Sequence, residues 1–94
     1  MGSAEYKMQL ASDVERDGLG LELLGPNGGV VAEVFRSDRA RTVVLTTFRD
    51  DVPLDAVQHL IGRALERLDP FEDGAPLAEA ANFGQADLRL SRPV

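Results

Sequence analysis

The only residue able to titrate near neutral pH without help is His59. Asp55 stands one helical turn before it and Arg63 one turn after. A catalytic base needs a partly desolvated cleft and an oriented proton partner. Successive residues 100° apart place His59 roughly opposite the apolar stripe of its segment, so it reads as a solvated surface residue. Two carboxylate groups have the composition of a Mg²⁺ set: Asp50, Asp51 and Asp55, and Asp69, Glu72 and Asp73. Carboxylates do acid–base work only at a defined separation across a cleft. The first group has an ordinary task at the positive end of a helix, and the second keeps a loop hydrated.

Asp13-x-Glu15-x-Asp17-Gly18 has oxygen ligands at alternate positions before a glycine, as at the start of an EF-hand loop. The twelfth position, which should be a bidentate Glu, is Leu24, and the eighth is Gly20. The residues after Gly18 alternate as a strand does, so the segment is read as a polar turn. Gly25-Pro-Asn-Gly-Gly29 lacks the Gly-Lys-Ser/Thr ending of a phosphate loop and leads into a strand. It is read as a hairpin turn. No catalytic residue, cofactor or metal is expected, and the chain is expected not to be an enzyme.

Composition narrows the classes further. The 94 residues suffice for one domain. With no cysteine, disulfides, thiolate metal sites and thiol catalysis are excluded. Sixteen acids against ten bases give a net charge of −6, which disfavours nucleic acid, whose binding needs a basic face. Arg36, Arg39, Arg41 and Arg49 are scattered, and Asp38, Asp50 and Asp51 dilute them. Lys7 is the sole lysine, a bacterial-like bias that reflects nucleotide content more than recognition. Residues 1–10 lack the pattern of a signal peptide. Apolar runs such as Val30-Val31-Ala32 are too short to cross a bilayer. A cytoplasmic chain without membrane contact is the expectation.

The elements that would position these residues form an α+β domain, an antiparallel β-meander packed on one amphipathic helix. Strands are expected at about 5–10, 19–24, 30–36 and 41–48, by alternation and β-branched content. A helix through Tyr6, Leu10 and Val14 competes with the first strand. The helix spans about 53–68, with Pro53 in its first turn and Pro70 beyond its end. Its stripe is Leu54, Val57, Ile61, Ala64, Leu65 and Leu68, expected to lie on the sheet. The domain is placed at 1–73. Residues 74–94 form an irregular, partly ordered tail, with two helical turns expected in 77–83 and a short strand in 86–90.

The two sheet faces differ. Leu19, Leu21 and Leu23 share the side given to the helix, while Glu22 and Glu33 are expected to face water. The glutamate side also carries Val31, Phe35 and Val44, too apolar to be fully solvated. Val31, Glu33, Phe35, Val44 and Glu22 are therefore the expected interaction surface, unless the N-terminal strand or the tail covers them. The function expected is a small acidic, non-enzymatic protein–protein interaction module, its partner another protein or a second copy. Alternatives are an acidic inhibitor of a basic protein, of immunity or antitoxin type, and a small-molecule site or minor enzyme in the Asp50–His59 region.

Overall fold

The computed structural model describes residues 6–82. Four antiparallel strands, β1 (Lys7–Asp13), β2 (Gly18–Leu24), β3 (Val30–Ser37) and β4 (Thr42–Thr47), form a sheet in the order β1-β2-β3-β4. They precede a helix, α1 (Leu54–Arg67). The meander and single helix agree with the sequence, and β1 is a strand, not the competing helix. Among the described residues no helix is long and apolar enough to cross a membrane.

Local chemistry explains the reversals. In the β1–β2 turn Asp13 accepts from the Arg16 N–H, and Asp17 takes a positive φ of 55°. In the β2–β3 turn Gly28 sits at φ 89°, a conformation that suits glycine, and the Asn27 side chain accepts from the Gly29 N–H. Both loops are hairpin turns, as their sequences imply.

Register assigns the faces. Leu21 pairs with Val34, which pairs with Leu45, and Leu23 pairs with Ala32. Leu21, Leu23, Ala32 and Val34 join Ala56, Leu60, Ala64 and Leu68 in one buried cluster. The ladder shifts at Leu23/Leu24, where Leu23 faces Ala32 but Leu24 faces Val30. Val31 is the extra residue of this bulge. It belongs to the core cluster, not to the outer face with Glu33 and Phe35.

The helix meets the sheet on a narrower line than its sequence suggests. Its buried residues are Ala56, Leu60 and Ala64, continued by the C-cap Leu68. Leu54, Ile61 and Leu65, three members of the expected stripe, are 71%, 39% and 42% exposed. Small Ala56 and Ala64 allow close approach to β2 and β3, which turns one flank of the stripe outward. Pro53 is the N-cap, with no side-chain cap hydrogen bond. The acids before it therefore do not cap the helix as expected, although Asp55 stands in the first turn.

The packed unit continues past residue 73. Phe71, Leu77 and Ala80 are buried in the core cluster. A single 3₁₀ turn, Leu77–Glu79, replaces the expected helical turns. Asp69 accepts from the Leu77 N–H, and the Asn82 side-chain amide bonds both the N–H and the C=O of Val43 at the β4 edge. The strand expected at 86–90 lies outside the described residues.

Candidate interaction surface

On the outer sheet face, two glycines of β2 create room for large neighbours in β3. A Cβ at Gly20 would come 2.5 Å from Glu33 Oε2, and one at Gly18 would come 2.6 Å from Phe35 Cζ. Glu33 and Phe35 lie in this trough, 3% and 4% exposed. Arg16, from the β1–β2 turn, closes it. Its terminal nitrogens donate to Glu33 Oε1 and Oε2 at 3.2 and 3.0 Å, and its guanidinium lies 3.9 Å from the centre of the Phe35 ring. Its Nε donates to Asp13 at 2.6 Å.

These contacts favour the charged forms on both sides. The Asp13 carboxyl is held below its ordinary value, first by the hydrogen bond from the Arg16 side chain and then by the Arg16 backbone N–H. The Arg16 guanidinium is pushed above its ordinary value by its bonds to Glu33 and Asp13.

Of the residues expected to form the interaction surface, Val31, Glu33 and Phe35 are therefore buried within the chain. Glu33 does not face water, because Arg16 reaches across to it. Glu22 is half-buried and accepts from Gln9 at 2.7 Å, and Val44 is 45% exposed. Phe48, 56% exposed, borders a shallow concavity of about 500 Å³ with Arg16, Glu22, Val30 and Glu33.

A more continuous apolar strip lies on α1. Leu54, Val57, Ile61 and Leu65 follow one another at helical spacing along a single flank, with Val57 half-buried and the other three exposed. Leu45, 45% exposed, lies on the helix side of β4. The helix rests mainly on β2 and β3. His59 is exposed, as the wheel indicates. Asp50, Asp51 and Asp55 are exposed as well.

A third grouping was not legible in the chain. Carboxylate oxygens of Asp17, Asp38 and Glu72 come within 4.8 Å of one another. Asp38 already accepts from Arg36 at 3.0 Å and from the Glu72 N–H at 2.9 Å. Arg36 also donates to the carbonyls of Leu68 and Pro70. This cluster fastens the helix end and the following loop to β3. Asp73 likewise pairs with Arg41 and accepts from the Ala75 N–H. Arg36 and Arg41 are thus engaged within the chain, and Arg49 donates to the Tyr6 hydroxyl.

No family model, curated protein or solved structure matches this chain.

Proposed function

We propose that this protein is a non-enzymatic interaction module that binds another protein through the Leu54–Ile61–Leu65 flank of α1. The observation that carries this reading is the mismatch between the helix's apolar stripe and its contact line, which leaves three large side chains in water. A contiguous apolar strip on a small domain is costly to keep exposed and favours a binding role. The net charge of −6 favours a partner whose apolar contact is rimmed by Lys and Arg.

The test is a Leu54→Ser/Ile61→Ser/Leu65→Ser variant expressed in place of the natural chain. It should keep the fold, because none of the three is buried, and lose a partner that the natural chain co-purifies. Equal retention of that partner by both proteins defeats the reading.

A further inference from the structure

We infer that β1 is a self-pairing edge through which two copies of this chain join their sheets. β1 and β4 are the two edges of the sheet, and they are treated differently. The β4 edge is occupied at Val43 by the Asn82 side-chain amide. Among the described residues nothing pairs with the free edge of β1. Its ladder with β2 is regular over all seven residues, from Lys7–Leu24 to Asp13–Gly18, with no bulge. The strand contains no proline. β1 therefore lacks the bulge and the proline that ordinarily keep an edge from pairing, and its lysine, Lys7, stands at its first position. Alternate residues of such a strand present their N–H and C=O groups to the open side.

The sequence of β1 fits an antiparallel copy of itself. A two-fold axis at Leu10 sets Leu10 against Leu10 of the second copy and Met8 against Ser12. It also sets Lys7 against Asp13 of the second copy, twice. Lys7 and Asp13 share one sheet face, since they are six residues apart in a period of two. Lys7 is exposed and has no ion-pair partner among the described residues. Asp13 belongs to a group, Asp13–Arg16–Glu33, that carries one net negative charge. Leu10, at the centre, is 40% exposed on the helix side. Opposite charges directly across an antiparallel pair stabilise it, and like charges do the reverse. The occupant that matches this edge is thus a second copy, forming a continuous eight-stranded sheet. This surface is separate from the α1 flank, so a monomer that still binds a protein through α1 defeats this inference alone.

Size-exclusion chromatography with light scattering across a concentration series tests it. The natural chain should form a dimer. Lys7→Glu should raise its dissociation constant about tenfold, because two like-charge pairs replace two opposite ones. Leu10→Lys should abolish it, and Ile61→Ser should leave it intact. Amide hydrogen exchange in β1 should slow as concentration rises. A chain that stays monomeric at every concentration overturns the inference. So does a dimer indifferent to Lys7→Glu, or one lost in Ile61→Ser. Concentration-independent protection of the β1 edge in a monomer assigns that edge to another part of the same chain and overturns it too. Lys7 is exposed, so Lys7→Glu decides the matter even where Leu10→Lys fails to fold.

Discussion

The Arg16 guanidinium covers the face of the Phe35 ring at 3.9 Å while both its terminal nitrogens hold the buried Glu33 carboxylate. One turn residue thereby covers the glycine-lined trough of the outer sheet face and pairs the Glu33 carboxylate buried there. Arg16→Ala should cost about 2 kcal/mol, since it leaves a buried acceptor unpaired and uncovers an aromatic ring. Adding Glu33→Leu should recover at least about half of that, because the unpaired charge goes with it. Urea denaturation of the two single variants and the double variant measures the coupling, and strict additivity would refute it.

The trough that receives these side chains depends on glycine. A Cβ at Gly18 would meet the Arg36 carbonyl oxygen at 2.0 Å as well as the Phe35 ring. Gly18→Ala should destabilise by about 1–3 kcal/mol, the range of core overpacking. Gly20→Ala meets only the end of the Glu33 side chain and should cost less. Thermal unfolding of both variants gives the order.

Asp13 links the turn to acid stability. Its carboxyl is held below the ordinary aspartate value by the hydrogen bonds from the Arg16 side chain and backbone. A group whose folded pKa is depressed contributes stability above its unfolded value and loses it as pH falls through the lowered folded value. The advantage of the natural chain over Asp13→Asn should therefore be constant from neutral pH down to about pH 5 and be lost progressively below it. Urea midpoints against pH check this. An advantage that grows on acidification would contradict it.

The segment after α1 belongs to the core. Leu77→Ala should cost about 2–5 kcal/mol, as for other buried leucines. A chain ending at Asp73 should lose its cooperative unfolding, since it lacks Leu77 and Ala80. Calorimetry of the shortened chain decides, and an unchanged transition would refute the packing.

Strand period, turn glycines and the helical repeat were enough to place four strands and a helix, because each depends on neighbours in the chain. What sequence could not supply was contact between distant segments. Arg16 lies 17 residues from Glu33, so a glutamate expected in water is buried by a turn whose direction no periodicity reveals. The bulge at Leu23/Leu24 moved Val31 into the core, and no residue type there announces it. The helical stripe was legible, but not the part of it that faces the sheet. Ala56 and Leu60, left out of that stripe, are buried, because the small Ala56 and Ala64 on either side of Leu60 let that line of the helix approach β2 and β3 closely. The candidate surface therefore moved from the outer sheet face to the flank of α1.

That surface is tested most directly by site-specific photo-crosslinking in cells. The photoreactive residue is placed at position 61 or 65 on the apolar flank, and at position 59 on the opposite side. A discrete protein adduct is expected from 61 and 65 and none from 59, and it should be lost when Leu54→Ser is added. Adducts of equal yield from all three positions, or none from 61 and 65, would contradict it.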